Sequence, residues 1–304
     1  MPLVAQVSDL HLSPRVPARQ AQAEQVIAGI NAAKPDLTVV TGDLTDDGWE
    51  RPEDLVWAKD WLTERIESYA WSLPGNHDVG NFACLPEGQI TNDRFEQWSR
   101  VFDPGKHGFG GTGTWILLGL NSMVLGSDLR CEQEHLDRFE RELNIAIKAR
   151  VNLALFIHSP LFIRTPNEST NAATEYWLGP EDPRQRIWKR INQANLKLIG
   201  SGHVHQTRGE KGVGSLFHDG ESEAPTPPQE KDSRPLFRGG THIVWAPPAS
   251  GTWVHAPGLP NPPAPERTGF VLHHLGDDGS VRSEVVECAP MLKTVYYDPT
   301  SSAG

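Results

Sequence analysis

Cysteine is scarce in this chain of 304 residues, and the three present, Cys84, Cys131 and Cys288, are odd in number and far apart. That excludes a disulfide framework and predicts reduced thiols. Long apolar runs are also missing: none approaches the about 18 residues of a membrane-spanning helix. Met1-Pro2 leads straight into Leu3 without the basic and apolar regions of a secretory signal. A soluble cytoplasmic protein with no membrane partner is the expectation. Positive charge is in deficit, with 28 Lys and Arg against 39 Asp and Glu for a net charge of -11. A nucleic-acid partner, which calls for a basic stripe, is therefore not expected. An anionic substrate would need a local positive source, and bound metal is the obvious one.

What the chain does have is a series of short apolar runs, each stopped by glycine or by a polar cluster. Leu3 to Val7, Asp36 to Thr41, Tyr69 to Leu73, Thr114 to Leu120, Asn152 to Ile157 and Leu196 to Gly200 read as buried strands. Between them, Arg19 to Ala33, Pro52 to Ser68, Asp93 to Phe102 (with Asn92 as N-cap), Cys131 to Lys148 and Pro183 to Ala194 carry helical spacing. Strands alternating with helices at this spacing predict βαβ units in an α/β fold. Residues 211–239, rich in Gly, Pro, Ser and Glu, read as a flexible insert, and 256–265 as a Pro-rich loop. Ile243 to Trp245 resumes the sheet. A C-terminal β-hairpin at about 268–298 turns at Asp277-Asp278-Gly279. The expectation is one domain over 1–304.

The pivotal stretch is Leu73-Pro74-Gly75-Asn76-His77-Asp78, where a strand stops abruptly and delivers an amide, an imidazole and a carboxylate. Gly75 is expected to turn with positive φ. The same pattern recurs: Asp9 and His11 follow the first strand, Asp43 the second, His158 a later one, and His203 and His205 the next. Strand carboxyl ends lie along one edge of an open α/β sheet, where ligands bind. Asp-x-His and His-x-His would put two ligands on one face of an extended segment. Asp43, with two oxygens, is placed to bridge two cations. One metal is assigned to Asp9, His11, Asp43 and His205, the other to Asp43, Asn76, His158 and His203. Each piece alone has an ordinary reading as a turn, a cap or a loop histidine. The ordered set, each member after an apolar strand, points to a site.

Asp9-x-His11, Gly42-Asp43, Gly75-Asn76-His77-Asp78, His158 and Gly202-His203-x-His205 resemble the five signature blocks of the calcineurin-like metallophosphoesterases, over roughly residues 3–206. The resemblance implies a four-layer α/β/β/α sandwich of two mixed sheets flanked by helices, and a dinuclear site holding Fe, Mn or Zn. It also implies that His77 donates a proton to, or stabilises charge on, the leaving oxygen and that Asp78 orients it. Ser8 to Leu12 with Thr41 to Asp46 and Gly75 to Asp78 is similar to the class III cyclic-nucleotide phosphodiesterases. His158-Ser159-Pro160, where many relatives carry a second His, and the long segment after His205 are departures that bear on the substrate. The function expected is hydrolysis of a small-molecule phosphodiester, such as a cyclic nucleotide, by a metal-activated hydroxide. A phosphomonoesterase acting on protein Ser/Thr or small metabolites is the alternative. A nuclease is disfavoured by the acidic balance, and a metal-free scaffold by the complete ligand set. The terminal hairpin and the Pro-rich loops could serve a homodimer or cover the crevice.

Overall fold

The structure, a computed structural model, describes residues 1–102, 109–163, 165–171, 174–205, 215–218, 241–250 and 267–290. Two mixed sheets carry it. The first runs β11 (Val281–Pro290), β10 (Arg267–Leu275), β1 (Leu3–Val7), β2 (Leu37–Thr41), β3 (Tyr69–Leu73). Strands β1, β2 and β3 are parallel, and the β10–β11 hairpin joins β1 antiparallel. The second runs β4 (Phe109–Thr112), β5 (Trp115–Leu120), β6 (Asn152–Ile157), β7 (Asn195–Ser201), β9 (Thr241–Trp245), β8 (Ser215–His218). Its strands β5, β6, β7 and β9 are parallel, with β4 and β8 antiparallel at the edges.

Alternation along each strand sorts side chains between layers. Val4, Leu37, Val39, Trp71 and Leu73 of the first sheet meet Trp115, Leu117, Ala154, Phe156, Leu198 and Val244 of the second in a central core. The neighbouring residues Ala5, Val7 and Val40 face outward onto α1 (Pro17–Ala33) and α2 (Pro52–Arg65). On the far side, Ile116, Leu118, Leu153, Leu155 and Ile157 pack under Phe139, Leu143, Ile187 and Ile191 of α5 (Arg130–Ala149) and α7 (Glu181–Ile191). Strands covered on both faces read as continuous apolar runs, which is how these appear in the sequence. The result is the four-layer α/β/β/α sandwich.

Helix α1 buries Ala23, Val26, Ile27 and Ile30, an i, i+3, i+4, i+7 stripe. Helix α2 stops at Arg65, short of the expected Ser68, for a tertiary reason. The Asn31 side chain donates to the Arg65 carbonyl (2.7 Å) and accepts from Glu67 N (3.2 Å), drawing the chain out of the helix. Helix α4 (Asn92–Phe102) is capped by Thr91 Oγ1, which accepts from Arg94 N at 3.2 Å; the Asn92 side chain accepts from Cys131 N instead. Within the expected insert at 211–239, residues 215–218 form strand β8; the rest of that insert and the Pro-rich loop lie outside the described residues. The hairpin is β10–β11, turning at Gly279 with φ 86°. Among the described residues, no helix is long and apolar enough to cross a membrane.

Candidate metal centre

Five parallel strands from both sheets end at one place. Strand β1 delivers Asp9 and His11, β2 Asp43, β3 Asn76 and His77, β6 His158, and β7 His203 and His205. The two sheets are tied together just below. Gln6 of β1 donates to the Ser201 carbonyl of β7 (3.0 Å) and accepts from His273 Nε2 (3.0 Å). Above it, Gly202 N donates to the His158 carbonyl (2.9 Å), and His203 N donates to both Asp9 carboxylate oxygens (3.2 Å).

The donor atoms form two groups sharing Asp43. Asp9, His11, Asp43 and His205 each bring one ligand atom within 4.8 Å of the others, and so do Asp43, His158 and His203. These match the two sets expected from the sequence, and Asn76 joins the second through Oδ1, 3.3 Å from His158 Nε2. Asp43 Oδ2 stands between the groups, 3.3 Å from His158 Nε2 and 4.0 Å from His11 Nε2. The structure turns Oδ2 toward both groups, because Oδ1 accepts from His77 N at 2.9 Å. His11 Nε2 and His205 Nε2 are 3.0 Å apart, and His205 Nε2 is 3.2 Å from Asp9 Oδ1.

The backbone pays for this convergence. Asp9 (φ 56°), His11 (42°), Asp43 (50°), His203 (68°) and His205 (48°) are all left-handed, a conformation that costs a non-glycine residue about 1–3 kcal/mol. Asp9 and His11 therefore do not share a face of an extended segment, as the period-two argument predicts; each is turned inward separately. Ladder-like bonds from Asp9 N to the Gly42 carbonyl (3.0 Å) and His11 N to the Asp43 carbonyl (2.9 Å) hold them so. Gly75 also departs from expectation. Its φ is −108°, ordinary for any residue, and its lack of a side chain matters because a Cβ would strike Asp43 and His158. Gly42 meets both demands, with φ 96° and the His158 ring where a Cβ would lie.

The tautomers suit cation binding. Carbonyl oxygens only accept, so His158 Nδ1 donates to the Thr41 carbonyl (2.7 Å) and turns Nε2 to the centre. His203 Nε2 donates to the Tyr176 carbonyl (3.0 Å), leaving Nδ1 as the lone-pair nitrogen. Burial opposes charge on His158, yet Asp43 holds its pKa up at about 9. That proton occupies the place a cation would take. Against the cost of burial, Asp43 is held well below the usual carboxylate range, first by His158, and Asp9 is lowered to about 2, first by His205. Burial and then His77 push His11 well down, and burial and then His158 lower His203 to about 4. Carboxylates, imidazoles and one amide oxygen, all buried, form a donor set that fits Fe, Mn or Zn.

His77 lies at the half-buried rim, and its Nδ1 is 2.6 Å from the Asp46 carbonyl. Asp78, expected to orient it, has other partners. Its carboxylate accepts from Leu44 N (3.1 Å), Thr45 N (2.9 Å), Thr45 Oγ1 (2.8 Å) and Gly75 N (2.9 Å). The short helix α3 (Asn76–Val79) turns Asp78 back toward its own N-terminus and away from the imidazole. Burial, then Asp43, raises the Asp78 pKa to about 6. Two participants are missed from sequence. Asp46 ends the Thr41-to-Asp46 motif, and its carboxylate pairs with Arg19 and lies near His11 and His77. Tyr176, on the short helix α6 (Glu175–Leu178), carries no local signal at all.

Residues 2–207 match the family profile described as calcineurin-like phosphoesterase. The zebrafish (Danio rerio) serine/threonine-protein phosphatase CPPED1 is 27% identical over 197 residues, 61% of this chain and 60% of that protein. A probable cyclic nucleotide phosphodiesterase of Synechococcus is 24% identical over 215 residues, 67% and 73% of the two chains. The match thus spans less than two thirds of the zebrafish relative's length. In fold, the chain is similar to a dimetal phosphatase from Danio rerio, with TM-score 0.57, 12% identity, and 95% and 98% of the two chains covered. It is also similar to the purple acid phosphatase PPD1 of yellow lupin, with TM-score 0.56, 14% identity, and 95% and 53% covered. With the profile spanning the strand ends that build the centre, the chain belongs to the calcineurin-like phosphoesterase family.

Proposed function

We propose that the chain hydrolyses a small-molecule phosphodiester of the cyclic-nucleotide class, in the cytoplasm. Asp9, His11, Asp43 and His205 hold one cation, and Asp43, Asn76, His158 and His203 the other. The observation that carries this reading is Asp43 Oδ2 standing between the two donor groups, 3.3 Å from His158 Nε2 and 4.0 Å from His11 Nε2. Bound there, a pair of Fe, Mn or Zn ions would polarise the phosphoryl oxygens and lower the pKa of the attacking water toward neutrality. The chain's own residues do the rest. Asp43 keeps the groups a shared atom apart, and the buried imidazoles orient their lone pairs inward. His77, its Nδ1 proton held by the Asp46 carbonyl, turns Nε2 to the rim; a second proton, carried on Nε2 by the doubly protonated ring, is the one passed to the leaving oxygen, and the ring is left neutral with its proton at Nδ1.

Preference for a diester draws support from the arginines. Arg15 is bound bidentately by Asp54, Arg19 pairs with Asp46 and Arg130 with Glu96, while Arg208 lies outside the described residues. With these guanidinium charges matched, a monoanionic diester suits the centre better than a dianionic monoester. The Synechococcus relative's name agrees. A second reading, a phosphomonoesterase of the protein-phosphatase kind, is favoured by the zebrafish relative's name. Steady-state kinetics on bis-p-nitrophenyl phosphate, p-nitrophenyl phosphate, cyclic nucleotides and a phosphopeptide separates the two. Higher kcat/KM on the diesters is expected; higher kcat/KM on the monoesters overturns the diester preference. No turnover of any ester by protein carrying two metals overturns hydrolysis itself.

A further inference from the structure

We propose that Tyr176 is a positioning residue for the second cation, setting which atoms of Asn76 and His203 face it. The inference rests on the two-cation reading above and concerns a residue outside every motif of the chain. Tyr176 touches two members of one donor group. Its hydroxyl oxygen accepts from Asn76 Nδ2 at 3.3 Å, and its carbonyl accepts from His203 Nε2 at 3.0 Å. Its ring also lies 5.2 Å from the His203 ring, tilted by 32°. The helix that carries it is fastened by Trp177 and Leu178, buried with Ile163, Val204 and Trp245. The hydroxyl is thus held on a packed element, not on a loop tip.

The chemistry of an amide makes this contact matter. Asn76 has one end that ligates a hard cation, the carbonyl oxygen, and one that does not, the NH2 group. With Nδ2 given to Tyr176, Oδ1 is turned to the His158 Nε2 side, 3.3 Å away, where the second cation belongs. Without the hydroxyl, the amide spends part of its time with the NH2 group inward. The imidazole of His203 is set in the same way by the Tyr176 main chain, which frees Nδ1. Both contacts fall on members of the second donor group, so the second cation is the one on which the effect is expected.

Stepwise Mn²⁺ titration of the metal-stripped full chain, followed by calorimetry and electron paramagnetic resonance, tests this. Tyr176→Phe is expected to weaken the second equivalent about tenfold, the lower end of what loss of a ligand-orienting partner costs, and to leave the first unchanged. Asn76→Asp supplies the control, because a carboxylate offers an oxygen whichever way it turns. In that background Tyr176→Phe should no longer weaken the second equivalent, a coupling that general loosening of the fold would not produce. Equal weakening of both equivalents, no weakening at all, or the same tenfold loss in the Asn76→Asp background overturns the role. Failure of the unsubstituted chain to bind two equivalents is a separate result, which overturns the two-cation reading and the inference with it.

Discussion

The Nδ1 of His77 lies 2.6 Å from the carbonyl oxygen of Asp46. Since that oxygen can only accept, the ring keeps one proton at Nδ1, and the proton it can give up is a second one, carried on Nε2. The Asp46 side chain is in turn paired with Arg19 at the start of α1, so the orienting carbonyl sits in a loop fastened at both ends. His77→Ala is therefore expected to retain two metals while losing about 10²–10⁴-fold in turnover of esters with poor leaving groups. Esters with p-nitrophenolate as leaving group should suffer less, since that anion departs without a proton. Comparing kcat on an alkyl and a p-nitrophenyl ester at measured metal content checks both statements. Equal losses on the two would remove the proton-donating role.

Asp43→Asn should weaken both cations, because Oδ2 faces both donor groups and an amide oxygen carries no charge to bridge them. Elemental analysis after dialysis against a metal concentration that saturates the unsubstituted chain is the measurement. Two metals per substituted chain would contradict the bridging position.

Gly42→Ala and Gly75→Ala should differ in kind. At Gly42 the backbone is left-handed and a Cβ would enter the His158 ring, so strain of about 1–3 kcal/mol adds to a steric clash. At Gly75 the backbone is ordinary and the clash is with Asp43 and His158 alone. Urea unfolding should show the larger loss of stability for Gly42→Ala, while metal binding falls in both. A Gly42→Ala chain as stable as the parent would refute the strain.

His135 provides a pH test away from the strand ends. Its Nε2 accepts from Asn121 N at 2.9 Å, so the ring is neutral, and burial, then Arg138, lowers its pKa from 6.5 to about 3. The unfolded chain binds this proton below 6.5 while the folded chain does not. Its contribution is complete above 6.5 and is lost as the pH falls toward 3. From about pH 7.5 to about pH 5.5 the group should cost roughly 1 kcal/mol of unfolding free energy. His135→Gln, which keeps an acceptor and cannot titrate, should flatten that part of the stability profile in chemical unfolding experiments. An unchanged slope would show that the ring takes up its proton as readily in the folded chain as in the unfolded one.

Much of the fold is legible in the sequence because the central strands are buried on both faces. Leu37 to Thr41 and Asn152 to Ile157 have no exposed residue to break the apolar run, and the stops after them are glycine or histidine. Edge elements are not legible in this way. Strand β4 is Phe-Gly-Gly-Thr and β8 lies in a polar stretch; both are held by pairing to β5 and β9 and not by a pattern of their own. Helix α2 ends where Asn31, from another helix, takes its last polar groups. The donor residues are legible for the same reason as the central strands: they stand immediately after the stops.

Local sequence determined which side chains arrive at the crevice, since strand length, burial and the glycine stops are properties of a few adjacent residues. Tertiary structure alone decided which atoms face which. The turning of Asp43 Oδ2 to both groups follows from the hold of His77 N on Oδ1, and the His158 and His203 tautomers from carbonyls of Thr41 and Tyr176. Asp78 is drawn from His77 to the 44–45 backbone by the same kind of contact. Each is a hydrogen bond between segments remote in the chain, and such bonds have no counterpart in the order of residues until the strands are paired and the sheets packed.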